Sequence, residues 1–128
     1  MTITFVNLPV RDLTVAVTFF RALGFTADDP APDGTSIALT LGADTRLMLH
    51  VPPAFTAYTG VPVTDPATSR EVIIGLSAES RQQVDDLVDR AVAAGGESLG
   101  GGQDQGWLYM RGFRDPDGHQ WSYLSMGG

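Results

Sequence analysis

Phe113-Arg114-Asp115-Pro116-Asp117-Gly118-His119-Gln120-Trp121-Ser122-Tyr123-Leu124 is written as a tight β-hairpin. A charged, turn-forming centre separates two runs of aromatic and apolar residues. Pro116 presets φ near about −65°, the flanking acids can accept from local backbone N–H groups, and Gly118 permits positive φ. The arms, 107–114 and 119–126, are therefore expected to lie side by side and antiparallel.

Working upstream from the hairpin, residues 71–77 are a Val- and Ile-rich strand. Ser80-Arg81-Gln82-Gln83 is a capping-box sequence. Val84, Leu87, Val88, Ala91 and Val92 form the i, i+3, i+4, i+7, i+8 stripe of a helix that Gly95-Gly96 ends. A short strand at 97–99 and a flexible loop at Gly100-Gly101-Gly102 lead into the hairpin.

The first half of the chain follows the same order. Residues 3–10 alternate as a strand, with Val6, Leu8 and Val10 on one face and Ile3, Phe5, Asn7 and Pro9 on the other. Pro9 cannot donate to a ladder, which places this strand at an edge or a bulge. Asp12 caps a helix carrying Leu13, Ala16, Val17 and Phe20, and Gly24 stops it. Phe19 falls off that stripe and points to a second buried face. A short strand at 25–27, a turn-rich loop at 28–34 and a hairpin of strands 36–41 and 46–51 complete the half.

Both halves thus read β-α-β-β-β, a duplication with a period of about 65 residues. The expected fold is α+β: two βαβββ modules, 1–51 and 71–128, forming a curved mixed sheet around a cavity. Each module's single helix covers one sheet face and leaves the other to be buried elsewhere. Residues 52–70, with four prolines, Gly60 and the aromatics Phe55 and Tyr58, read as a long irregular connection, either a linker or a lid.

Composition narrows the function classes. The chain has 128 residues, 43% of them hydrophobic, enough for one compact domain without staples. Eight Lys+Arg against 15 Asp+Glu give a net charge of −7, which argues against a nucleic-acid partner. The acidity is compatible with a cationic small ligand, and equally with plain solubility. No cysteine is present, so disulfides, thiolate metal sites and a Cys nucleophile are excluded. No secretion signal and no membrane-length apolar run is visible, so the expected compartment is the cytoplasm.

Several motifs resemble the vicinal oxygen chelate superfamily of glyoxalases, bleomycin-resistance proteins, fosfomycin-resistance enzymes and extradiol dioxygenases. The DPDGH turn followed by Trp121 is similar to the segment that closes one of its modules. Val6-Asn7-Leu8-Pro9-Val10-Arg11-Asp12-Leu13, with Phe19-Phe20-Arg21-Ala22-Leu23-Gly24-Phe25, looks like its N-terminal signature. Asp104-Gln105-Gly106-Trp107-Leu108-Tyr109-Met110-Arg111-Gly112-Phe113 looks like its C-terminal one. The best match is a lactoylglutathione-lyase-like branch. These motifs are specific for the fold and weak for any reaction.

In the metal-binding families of that superfamily, the first and last strands of each module supply one metal ligand apiece. The matching positions here are Phe5, Met48, Val72 or Ile73 by register, and Ser122, where those families have glutamate. Hard divalent ions need carboxylate or imidazole donors, and these four residues supply none. The resemblance therefore implies a metal-free cavity for a small organic molecule, in a homodimer whose cavities draw on both chains. A divalent metal at a displaced site is the alternative.

Candidate cavity residues are Phe5, Asn7, Met48, His50, Trp107, Tyr109, Arg111 and Ser122. His50 shares the face of Met48 and is the one candidate for a general base or hydrogen-bonding group; otherwise it is a strand-end histidine. Asn7 either presents its amide to the cavity or satisfies backbone near the helix. Trp107, Tyr109, Arg111 and Phe113 share one face, which lines the cavity as an aromatic wall or packs under the second helix or a dimer contact. Trp121 and Tyr123 point to the helix layer, and His119 belongs to the turn.

Three functions are compatible with these readings. The first is a ligand-sequestering protein without chemistry. The second is a glyoxalase-like lyase or isomerase, or a dioxygenase-related enzyme, using His50 or a displaced metal on a small carbonyl or thioester compound. The third is a regulatory module acting through a protein partner. No Ser-His-Asp arrangement can be argued, and Gly100-Gly101-Gly102 lacks the lysine and helix start of a phosphate loop.

Overall fold

The computed structural model describes residues 2–126; Met1, Gly127 and Gly128 lie outside the described residues. Among them nine strands and three helices fall into two compact units, Met1–Thr64 and Asp65–Gly128.

The first unit runs β1 (Thr4–Pro9), α1 (Leu13–Ala22), β2 (Thr26–Ala27), β3 (Ser36–Gly42), β4 (Thr45–His50) and α2 (Pro52–Thr59). Its mixed sheet has the order β1-β4-β3-β2, with β1 parallel to β4 and the other pairs antiparallel. Pro9 sits on the edge strand, where its missing N–H costs nothing. Period two sorts the faces: Leu8, Ile37, Leu39, Leu47 and Leu49 are buried with Ala16, Val17 and Phe20 of α1. Burying a leucine of this kind contributes roughly 1.5–3 kcal/mol. Asp12 Oδ1 accepts from Val15 N at 3.2 Å to cap α1, and Gly24 follows its end at φ 97°. Phe19 is buried within the chain, edge-on to Phe20 at 5.1 Å.

The second unit runs β5 (Ile73–Ser77), α3 (Arg81–Ala93), β6 (Glu97–Ser98), β7 (Gln103–Asp104), β8 (Leu108–Arg114) and β9 (Gln120–Met126). The order is β5-β9-β8-β6, with β7 also on β8 and β5 parallel to β9. Val84, Val88 and Ala91 of α3 are buried with Phe113, Trp121 and Tyr123. Leu87 is half-buried and Val92 exposed, so the buried stripe is narrower than five residues. Ser80 Oγ accepts from Gln83 N at 3.0 Å, while Gln83 Oε1 takes Glu79 N instead of the cap's own N–H.

The DPDGH turn is built on Asp115. Its Oδ1 accepts from Asp117 N at 2.9 Å and His119 N at 3.0 Å, and its Oδ2 from Trp121 Nε1 at 3.0 Å. Gly118 has φ 95°, and a methyl there would meet the Pro66–Ala67 backbone at 3.1–3.3 Å. The positive φ favours glycine, and a side chain would also press on that backbone.

Two expectations need correction. The connection after β4 is not irregular throughout: its first eight residues are α2. Two prolines inside the segment argued against a helix, but they occupy the first turn, where no intrahelical N–H donor is needed. Gly60 then ends α2 in the left-handed region at φ 74°. The glycine-rich loop before the final hairpin likewise contains β7, pinned to β8 at Gln103↔Met110 and Asp104↔Tyr109.

Candidate functional site

The sheet register makes the two units equivalent position by position. In the first, Phe5 pairs with Arg46, Asn7 with Met48 and Pro9 with His50; in the second, Ile73 pairs with Gln120, Gly75 with Ser122 and Ser77 with Leu124. Phe5 and Met48 are therefore diagonal neighbours on the face away from α1, and Ile73 and Ser122 are the same neighbours on the face away from α3. This register selects Ile73 over Val72, which lies before the strand. It also makes Gly75 the counterpart of Asn7 and Leu124 the counterpart of His50.

On the first unit's open face, β4 runs between β1 and β3, so His50 has a neighbour on each side. Ser36 lies directly opposite it across β3, and Asn7 lies diagonally across β1. His50 Nδ1 is 2.6 Å from Ser36 Oγ, and Nε2 is 2.8 Å from Asn7 Oδ1. His50 is only 2% exposed. Burial lowers its pKa, because the charged imidazolium would lose water. The neutral ring fits this row: the Ser36 hydroxyl donates to Nδ1, and Nε2–H donates to Asn7 Oδ1. The opposite tautomer, with the Asn7 amide turned over, would leave the Ser36 hydroxyl proton without an acceptor in the row.

α2 starts one residue after β4 and passes over this face. Phe55 and Tyr58, at i and i+3, set their rings 6.3 Å and 5.4 Å from the His50 ring. With Phe5, Asn7, Met48 and Thr59 they bound an open cavity of about 470 Å³. That lies within the range of small-molecule sites, which are mostly apolar with a few placed polar groups. A smaller concavity of about 250 Å³ lies on the second unit's open face and includes Ile73, Gln103, Met110, Gln120 and Ser122.

Of the sequence candidates, Phe5, Asn7, Met48 and His50 come together in the first cavity, and Ser122 lines the second. Trp107, Tyr109 and Arg111 line neither, which corrects the expected aromatic wall. Trp107 precedes β8 and is 62% exposed. The Tyr109 hydroxyl donates to Asp85 Oδ1 at 2.8 Å, and Arg111 Nη1 reaches Asp85 Oδ1 at 3.3 Å and Asp89 Oδ1 at 3.2 Å. Their face lies under α3, whose carboxylates neutralise the arginine; the other side of β8 shows Met110 and Gly112 to the concavity. Ser36 is not legible in the sequence, because a serine in a strand carries no local signal. Phe55 and Tyr58 were visible as aromatics but not as one helix face.

Residues 2–123 match the family described as the Glyoxalase/Bleomycin resistance protein/Dioxygenase superfamily. The chain belongs to this superfamily. Solved structures with the same fold include a hypothetical protein from S. aureus, at 26% identity and TM-score 0.84, covering 98% of this chain and 93% of that one. A glyoxalase/bleomycin resistance protein/dioxygenase from Nocardioides is 27% identical, with TM-score 0.77 and coverages of 100% and 86%. A lactoylglutathione lyase from Agrobacterium tumefaciens shares the fold at 20% identity and TM-score 0.71, covering 97% and 92%. No curated protein matches the sequence.

Superfamily members that bind a metal imply one here, and the donor set does not fit it. Phe5, Met48 and Ile73 offer no hard donor, and Ser122 offers a neutral hydroxyl. Among the described residues no group of three His, Asp or Glu side chains is placed to hold a metal ion. No helix there is long and apolar enough to cross a membrane.

Proposed function

We propose that this superfamily member binds a small organic molecule in a metal-free cavity and performs no chemistry on it. One observation carries the reading. The strand positions that would hold a metal carry Phe5 and Met48 in an open cavity of about 470 Å³ that Phe55 and Tyr58 of α2 also line. Apolar side chains at ligand positions remove the ion and add surface for an organic guest.

Catalysis by His50 is the weaker reading, because both ring nitrogens already have partners inside the sheet. A general base needs a nitrogen within reach of the substrate proton. The proposal extends to a homodimer, which would cover Phe5 and Ile73, each 58% exposed on the open sheet faces. A cytoplasmic setting is part of the same reading.

The test is calorimetric titration of the full chain with zinc, nickel, manganese and ferrous ions, alongside a small-molecule screen by thermal shift. Hits among organic ligands without metal uptake support the proposal. Stoichiometric, tight metal binding would overturn it. For the dimer, light scattering giving a monomer at working concentration removes that part.

A further inference from the structure

We infer that the first unit's cavity takes a neutral, flat, largely apolar molecule through one acceptor oxygen, received by the Asn7 side-chain amide NH2, with His50 and Ser36 as positioning residues. This rests on the proposal that the cavity binds an organic ligand, and it names the ligand's chemistry.

Asn7 is the polar group that the row holds ready. Its Oδ1 is committed to His50 Nε2–H, which leaves Nδ2 and its two donors for the cavity. The direction follows from the row: with the Ser36 hydroxyl donating to Nδ1, Nε2–H meets Asn7 Oδ1 and the amide NH2 faces outward. Of the other polar groups in the lining, the Tyr58 hydroxyl belongs to a residue that is 79% exposed. The Thr59 hydroxyl donates to Val61 O at 3.0 Å, and His50 is closed off by its two bonds.

The rest of the lining is Phe5, Met48, Phe55 and Tyr58, with no charged side chain. Arg46 shares the sheet face but is paired with Asp28. An ionic guest would find no counter-ion in this lining, whereas aromatic rings and a thioether suit a planar neutral one. A donor that the guest covers also selects: a guest without an acceptor would strip water from the exposed Asn7 Nδ2 and return nothing. The second unit has no such device, because Gly75 stands where Asn7 stands in the first.

The experiment compares acetophenone with ethylbenzene, which differ only in C=O against CH2. Each is titrated into ¹⁵N-labelled full-length protein and followed by NMR. Acetophenone is expected to bind about fivefold more tightly, the worth of one hydrogen bond. It should also move one Asn7 side-chain amide proton downfield as a hydrogen bond does, beyond the ring-current shift that ethylbenzene produces. Asn7→Asp keeps size and the His50 bond but replaces donor by acceptor, and should abolish the preference, as should Asn7→Leu. His50→Ala should weaken the preference while ethylbenzene binding persists.

Equal binding of the two probes, with Asn7 variants behaving like the parent, overturns the inference and leaves the cavity reading standing. Loss of the preference in Tyr58→Phe but not in Asn7→Leu also overturns it. If neither probe binds and no cavity resonance moves, both the inference and the cavity reading fall.

Discussion

Trp121 Nε1 donates to Asp115 Oδ2 at 3.0 Å, so the indole that fills the core of the second unit also holds the carboxylate that builds its last turn. Asp115 is itself buried, and desolvation pushes its pKa up against the three N–H donors that favour the charged form. The turn and the core are one cooperative structure.

Asp115→Asn tests this coupling. The amide can keep one carbonyl toward Asp117 N and His119 N, but its NH2 then opposes Trp121 N–H. We expect a loss of about 1–3 kcal/mol by urea unfolding, the usual cost of an unsatisfied buried donor. A variant as stable as the parent would show that the indole bond contributes nothing.

Gly102 passes so close to Tyr109 that a methyl at that position would overlap the phenol. The ring cannot easily yield, because its hydroxyl is bonded to Asp85 and the Arg81 guanidinium lies 5.4 Å from its centroid. Gly102→Ala should therefore cost about 1–3 kcal/mol as an overpacking substitution. Neighbouring Gly101→Ala, with open space around it, should be nearly silent. Equal effects at the two positions would count against this packing.

His50 gives the first unit a pH dependence of known sign. Its pKa is lowered on folding, so the native state holds fewer protons on this group than the unfolded chain. The associated stability is present above the unfolded value near 6.5 and is lost as pH falls through the folded one. Melting temperature should drop more between about pH 7 and pH 5 in the parent than in His50→Gln. Parallel pH curves for the two proteins would contradict this.

Tyr123 is buried with its hydroxyl unpartnered among the described residues, and desolvation pushes its pKa up to about 12. Tyr123→Phe removes a polar atom that gains nothing from folding. It should leave stability unchanged or raise it by up to about 1–2 kcal/mol. In an ultraviolet titration the Tyr123 phenolate, identified as the signal lost in Tyr123→Phe, should form only toward about pH 12. A clear loss of stability in Tyr123→Phe would mean that the hydroxyl has a bond worth keeping.

The sequence by itself determined the repeated order of strand, helix and following strands (β7 apart), the Asp12 and Ser80 caps and the DPDGH hairpin, and it narrowed Pro9 to an edge or a bulge. Each is a local property, since alternation, capping and turn chemistry depend on residues within a few positions of one another. Period two also placed Phe5 with Asn7 and Met48 with His50. Only the tertiary structure decided which face of β8 goes to α3. Alternation divides Tyr109 and Arg111 from Met110 and Gly112 but does not orient the pair, and Asp85 and Asp89, over twenty residues away in the chain, settle it. The Ser36–His50–Asn7 row is likewise a matter of strand order. Its members stand side by side because β4 lies between β1 and β3, and a parallel neighbour 43 residues distant leaves no trace in local pattern.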